Sequence, residues 1–474
     1  MRIGQTSVVH FGSEMLASLA GFVATLYIAR ELGSATLGTY ALFIAVLVWL
    51  RTGFGSGLHQ AVIKRVSEVG DGDRYLGAGI LIQGALYAVV VALLIAGRPY
   101  LDDYLGFEGT LLLIVALAAV LAFSLVSSTL HGEQKVHYAA LLRPIDRVVR
   151  SGVQLAVVFL GIIGGGVAGL VWGYVAGAVV AILAGLLLLS TRPRLPSREH
   201  LESVLGFTKY SWLSGIEQRS FSAMDTVVLG VFVGSSLIGY YEVAWNLASL
   251  LAIFGNSISE SLFPTISELD SSDERDAVGE LLGNGLAYTG LFLIPGFVGV
   301  LVVGESVLGL YGQEFQRAAT VLAILVLARL IYAYGAQFIM TLNAINEPDV
   351  AFRINLVFVA ANVVLNVALV SLYGWIGAAV GTATAALISL VIAYYALTGF
   401  VAFPIPWGEL ARQLLAALVM AGVLFPVRDV VLELSQRGLV EAILLVSVGA
   451  AVYFAVLVVL SARFRTTVRQ NVTL

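Results

Sequence analysis

Cysteine is missing from this 474-residue chain, which excludes disulfide bonds, thiolate metal ligands and cysteine nucleophiles. Charge is scarce: Asp, Glu, Lys and Arg make up 12% of the residues, about half the share of an ordinary soluble protein. Only three lysines occur, Lys64, Lys135 and Lys209. That reads as genome composition, because exchange of lysine for arginine matters mainly at bidentate or stacked sites. The five histidines, His10, His59, His131, His137 and His200, show no HExxH or comparable ligand spacing, so no metal is expected. A GxxxxGK(S/T) phosphate loop is absent too, and neither ATP hydrolysis nor a cofactor is expected. The net charge of -4 is too small to imply nucleic acid as a partner.

What the chain has in excess is apolar length. Hydrophobic residues reach 59% and mean hydropathy is +0.94, more than a soluble core could bury. Apolar runs of about 20 residues, enough to cross a bilayer as a helix, recur from end to end. The pattern predicts an all-α polytopic membrane protein of about 14 transmembrane helices. Six are expected near residues 8–29, 38–60, 76–97, 108–130, 140–162 and 165–190, and six more near 206–232, 238–262, 281–303, 317–342, 352–373 and 377–400. The last two lie near 409–427 and 438–461. No separate signal peptide is expected, since the chain opens Met-Arg and its first apolar run is long enough to remain as a span. Assigned to alternate loops, 18 Lys and Arg residues fall on one side, among them Arg51, Lys64, Arg192 and Arg465. Five fall on the other: Arg30, Arg98, Arg317, Arg428 and Arg437. By the positive-inside rule both termini are expected on the cytoplasmic side of the cell membrane.

Two stretches spell one GSxxxGxY pattern 201 residues apart (234 minus 33), Gly33-Ser34-Ala35-Thr36-Leu37-Gly38-Thr39-Tyr40 and Gly234-Ser235-Ser236-Leu237-Ile238-Gly239-Tyr240-Tyr241. A second echo, GxIGxxV from Gly161 to Val167 and from Gly374 to Val380, is 213 residues apart (374 minus 161). Two echoes in one order at nearly one offset predict an internal duplication. Because an even number of spans separates the copies, the halves are expected to be parallel six-helix lobes, related by a pseudo-two-fold along the membrane normal. The expected division is an N-terminal lobe at 1–200, a C-terminal lobe at 201–403, and two further helices with a cytoplasmic tail at 404–474. Both GSxxxGxY copies are expected at the outer face, as matched corners of the two lobes on the gate side. Glycines at four-residue spacing, Gly169, Gly173 and Gly177, then Gly377 and Gly381, are expected faces of close helix approach.

An ionisable residue at bilayer depth is costly unless it faces protein or water, so each is informative. Glu14 lies in the first span, Lys209, Glu217, Arg219 and Asp225 in the seventh, Glu242 in the eighth and Arg329 in the tenth. Arg219 and Arg329 are the leading candidates for contact with a phosphate-bearing substrate, since guanidinium offers forked donors and a charge that does not titrate away. Arg143, Arg147 and Arg150 share one helical face near the cytoplasmic end of the fifth span. They are further substrate-binding candidates, with lipid-headgroup contact as the competing reading. Glu14, Glu217 and Asp225 are candidates to carry a coupling proton or sodium ion, or to lock helices together as ion pairs; the sequence leaves that choice open.

Three places carry a family resemblance. They are Ala29-Arg30-Glu31-Leu32-Gly33 through Tyr40, then Asp225-Thr226-Val227-Val228-Leu229-Gly230 followed by Ile238-Gly239-Tyr240-Tyr241, and third a set near residue 360. That set is the most specific: Leu342-Asn343-Ala344, Pro348, Asn362, Asn366 and Tyr373-Gly374-Trp375-Ile376-Gly377-Ala378-Ala379-Val380-Gly381-Thr382. Together they resemble the polysaccharide biosynthesis flippases, Wzx-type transporters of the multidrug/oligosaccharidyl-lipid/polysaccharide (MOP) exporter superfamily. The resemblance implies flipping of an oligosaccharide linked to a polyprenyl phosphate or pyrophosphate, from the cytoplasmic to the outer face, with the headgroup in a cationic central cavity. Alternating access without ATP is the expected mechanism, the lipid-linked glycan and membrane lipids are the expected partners, and a monomer rather than an enzyme is expected. An ion-coupled drug or metabolite exporter of the same superfamily is the alternative. A membrane glycosyltransferase or polymerase would need a polar loop with an acidic catalytic pair, and the best such stretch, Asp270 to Asp276, reads as a solvated loop.

Overall fold

A computed structural model describes residues 3–68, 70–161, 166–211, 216–272, 274–434 and 438–472, and no strand occurs among them. The helices are α1 (Ile3–Ser67), α2 (Gly72–Ala96), α3 (Arg98–Leu105), α4 (Thr110–Gly132), α5 (Val136–Leu160), α6 (Gly166–Leu188), α7 (Arg198–Ser211) and α8 (Ile216–Phe232). They continue as α9 (Ser235–Ser271), α10 (Arg275–Gly309), α11 (Ala319–Ala344), α12 (Pro348–Thr398), α13 (Trp407–Leu434), α14 (Gly438–Leu460) and α15 (Ala462–Val472). Only helices satisfy every backbone N–H and C=O within one segment in hydrocarbon, and the chain is an all-α polytopic membrane protein. Among the described residues nine stretches are long and apolar enough to cross a bilayer. Two of these belong to α1 and α12, whose 65 and 51 residues exceed one crossing at least twofold. Each is broken by a glycine, Gly33 at φ 75° and ψ 172° and Gly374 at φ 60° and ψ -142°. Residues with a Cβ avoid these conformations, and both glycines stand where one expected span gives way to the next.

The chain forms two compact units, Met1–Gly239 and Tyr240–Leu474. In the first, Leu58 and Ala61 of α1 pack with Ala78 and Ile82 of α2 and Val204 of α7. Val126 and Leu130 of α4 pack with Ala139 and Leu142 of α5. Gly173 and Gly177 bring α6 against α5 as the spacing implied: a Cβ on either would lie 2.5 Å from Gln154 Cγ or from the Asp146 carbonyl oxygen. The segment leaving α6 is strapped back onto α2. There the Arg192 N–H donates to Asp73 Oδ1 at 2.9 Å, and the Arg194 N–H to the Asp73 carbonyl at 3.0 Å. Gly77 lies so close under the Arg194 carbonyl that no Cβ would fit. The second unit repeats the device, with Gly279 of α10 under the Ala402 carbonyl in the segment leaving α12.

Within the second unit Ile266, Val278, Leu282, Phe338, Leu342, Ile354 and Leu397 form one cluster across α9 to α12. Ile294 and Val298 of α10 pack with Met420 and Leu424 of α13 and Leu445 and Leu457 of α14. A further echo of the duplication appears only in the backbone. The turn from α4 to α5 places Gln134 at φ 60° and bonds the Lys135 N–H to the Leu130 carbonyl at 2.9 Å. The turn from α11 to α12 places Asn346 at φ 62° and bonds the Glu347 N–H to the Leu342 carbonyl, also at 2.9 Å. Both are left-handed helix ends of the Schellman type, 212 residues apart (346 minus 134).

Candidate functional site

Both copies of GSxxxGxY sit at helix breaks, Gly33 within α1 and Gly234 between α8 and α9, and they touch each other. A Cβ on Gly38 would overlap the carbonyl oxygen of Ser235, and a Cβ on Gly239 would overlap that of Ser34. Gly38 and Gly239 occupy one motif position, and Ser34 and Ser235 another. The contact is therefore reciprocal, like that across the axis of a symmetric dimer. Hydrogen in place of a side chain is what allows backbone to meet backbone here.

From this corner a polar chain runs into the first unit. Tyr40 Oη accepts from Gln154 Nε2 at 2.8 Å, and the same amide donates to the Leu170 carbonyl at 2.9 Å, so one side chain ties α1, α5 and α6. One turn earlier the Arg150 guanidinium lies 3.7 Å from the centre of the Tyr174 ring and is paired with Asp146. Asp146 is 8% exposed. A carboxylate and a ring face are the groups that make a cation tolerable at this depth. The three arginines expected on one face of α5 thus divide, Arg150 turning into the unit while Arg143 and Arg147 are exposed at its surface.

In the second unit Arg329 of α11 donates from Nη2 to Ser249 Oγ at 2.5 Å, and its guanidinium lies 4.1 Å from the centre of the Trp245 ring. Asn246 Nδ2 donates to Glu242 Oε1 at 3.3 Å. Residues 242, 245, 246 and 249 follow the i, i+3, i+4, i+7 rhythm of one helix face, so α9 presents a polar, aromatic stripe to Arg329. The sequence reading missed Trp245, Asn246 and Ser249. Glu242 at helical spacing from them was the signal on offer. Asp225 of α8 is 3% exposed, and the side chains of Glu14, Lys209, Glu217 and Arg219 lie outside the described residues. Among the described residues no three His, Cys, Asp or Glu side chains gather as a metal site. Asn362 and Asn366 donate to the Thr382 hydroxyl at 3.1 and 3.3 Å, holding the two arms of α12 together.

The polysaccharide biosynthesis protein family matches residues 27–320 of the chain, a stretch that takes in both corner motifs and the α5 cluster. The chain belongs to this family. As a polysaccharide biosynthesis protein it is 32% identical to the protein named "Probable flippase AglR" of Haloferax volcanii, over 99% of this chain and 98% of that one. It is 28% identical to "Probable low-salt glycan biosynthesis flippase Agl15" of the same organism, over 96% and 95% of the two chains. Its fold is that of the lipid II flippase MurJ in an inward closed conformation, with a TM-score of 0.79 at 17% identity over 95% of this chain and 98% of the other. Asn362, Asn366 and Thr382, which carried the resemblance in the sequence, lie beyond the matched stretch and serve as helix-to-helix bonds.

Proposed function

We propose that the protein is a flippase that carries a lipid-linked oligosaccharide from the cytoplasmic to the outer face of the cell membrane by alternating access. The full-length likeness to AglR carries this reading, because it spans both halves of the duplication rather than one element. In this reading the chain crosses the membrane about 14 times with both termini cytoplasmic. Residues 1–200 and 201–403 act as two lobes beside the pair of helices at 404–474, and the straps at Arg194 and Ala402 support that division. The protein moves its substrate as a monomer and transforms nothing.

Arg329, Arg219, Arg143, Arg147 and Arg150 bind the phosphate of the carrier. Trp245 and Ser249 orient the Arg329 guanidinium, which suits recognition of a forked oxygen acceptor. On α5, three arginines against one aspartate leave a cationic stretch at one level of the first lobe. Glu14, Glu217 and Asp225 take up the proton or sodium ion that drives the cycle. The reciprocal contact of Gly38 and Gly239 closes the outer side, and release of the headgroup separates it.

Deletion of the gene is expected to remove a cell-surface glycan; normal glycan in a strain with no redundant exporter overturns the proposal. Lost drug efflux with intact glycan would favour an exporter instead. In proteoliposomes Arg329→Ala and Arg219→Ala are each expected to slow flipping roughly tenfold or more, as loss of a charged hydrogen bond implies, at unchanged membrane abundance. Normal flipping by both variants removes these arginines from the binding role.

A further inference from the structure

The last helix differs in charge from the rest of the chain. Residues 461–474 hold three arginines, Arg463, Arg465 and Arg469, and no acidic residue. α15 begins two residues after the end of α14, an apolar helix long enough to cross a bilayer. Ser461 makes the join, its N–H donating to the Leu457 carbonyl at 2.8 Å and its Oγ accepting from the Phe464 N–H at 2.9 Å. That second bond is a helix N-cap. Phe464 stacks on Phe454 of α14 with ring centres 5.9 Å apart, and the Arg463 guanidinium lies 6.0 Å from the Tyr288 ring of α10. The first turn of α15 is therefore fastened to the spanning helices, and Arg465 and Arg469 are exposed beyond it.

The start of α13 lies at the same level. Ser461 Oγ donates to Glu409, and Arg412 Nη1 reaches the same carboxylate at 3.0 Å. Trp407, two residues before Glu409, is 70% exposed. An exposed indole at the first residue of an apolar helix marks the level where hydrocarbon gives way to headgroups. We infer that α15 is an interfacial helix that docks on anionic lipid headgroups, with Arg463, Arg465 and Arg469 meeting lipid phosphate. The charge complementarity is one-sided within α15, and the join at Ser461 holds it at the membrane surface, where such a segment gains from each cation. This inference stands independently of the transported substrate.

The test uses the full-length purified protein in detergent, titrated with phosphatidylglycerol or phosphatidylcholine and read by native mass spectrometry and by thermal unfolding. Phosphatidylglycerol is expected to be retained in preference, with retention weakening as salt rises. The R463Q/R465Q/R469Q variant is expected to lose about tenfold or more in apparent affinity, and the corresponding triple lysine variant to keep most of it. Should the triple glutamine variant fail to assemble, Arg465→Gln alone, at an exposed position, is expected to lose about threefold. Equal retention of the two lipids, or equal retention by wild type and both glutamine variants, overturns the inference. So does crosslinking of α15 to a protein partner in intact membranes without lipid selectivity.

Discussion

The α5–α6 pair and the two arms of α12 are one element seen twice, and they are held together differently. In both, glycines set the distance: Gly173 and Gly177 in the first, Gly377 and Gly381 in the second. Across α5 and α6 the polar groups are an ion pair, an aromatic ring and a glutamine amide. Across the arms of α12 two asparagines share one threonine hydroxyl. The 213-residue offset pairs Gly173 and Gly177 with Ala386 and Leu390, so each pair reaches close approach at its own positions and with its own bridging chemistry. Since neutral groups suffice in the second copy, the charge in the first is not a requirement of the fold, and its reason lies elsewhere.

The largest effect should come from Asp146→Ala, which leaves Arg150 at depth without its carboxylate and is expected to cost about 3–5 kcal/mol, read as thermal unfolding in nanodiscs. The double variant Asp146→Leu with Arg150→Met is expected to recover most of that stability. If it also flips substrate normally, the charges in α5 are structural after all. Next comes Gly377→Ala, where the new methyl overlaps the Leu369 carbonyl more deeply than Gly177→Ala overlaps that of Asp146. Overpacking of this kind costs about 1–3 kcal/mol, and equal losses in the two variants would contradict the closer approach at Gly377. Thr382→Val removes the hydroxyl that both asparagines use and is expected to cost about 0.6–1.7 kcal/mol. A loss as large as that of Asp146→Ala would erase the distinction between the copies.

The smallest effect concerns the turn before each pair. Glu133 accepts from the Ser190 and Thr191 N–H groups and pairs with Lys135 at 2.8 Å, while Ile345 stands 212 residues on. Burial resists ionisation of Glu133, but the bonds from Lys135, Thr191 and Ser190 outweigh it and hold its carboxyl below the usual glutamate value. A depressed carboxyl contributes stability that is present above the unfolded-state value and lost as pH falls through the folded-state one. Unfolding temperature should therefore drop on acidification more steeply in wild type than in Glu133→Gln. Parallel curves would mean that these bonds add nothing.

The breaks at Gly33 and Gly374 and the close faces of Gly173, Gly177, Gly377 and Gly381 were legible because each is a local backbone demand that only glycine meets. The matched turns at Gln134 and Asn346 were not, since two different residues adopt one left-handed conformation there. Asp146 and Arg150 stand four apart, so their pairing was open to a helix-geometry argument. Their inward aim was not, because Arg143 and Arg147 belong to the same arginine row and are exposed. The setting of Arg329 escaped for another reason: Trp245 and Ser249 come from a different helix, and neither is charged. Nor could spacing along the chain show that the two corner motifs touch.

The straps have a consequence for how the protein is made. Arg194, Gly77 and Asp73 all precede the second unit in the chain, so their contact needs nothing that is synthesised after it. At about 5–20 residues per second, Ala402 follows roughly 10–40 s later. During that interval the early helices already have a latch of their own, so the ribosome delivers two similar halves in succession rather than at once. In that order of delivery α2 meets its own strap while α10 and the Ala402 strap have yet to appear.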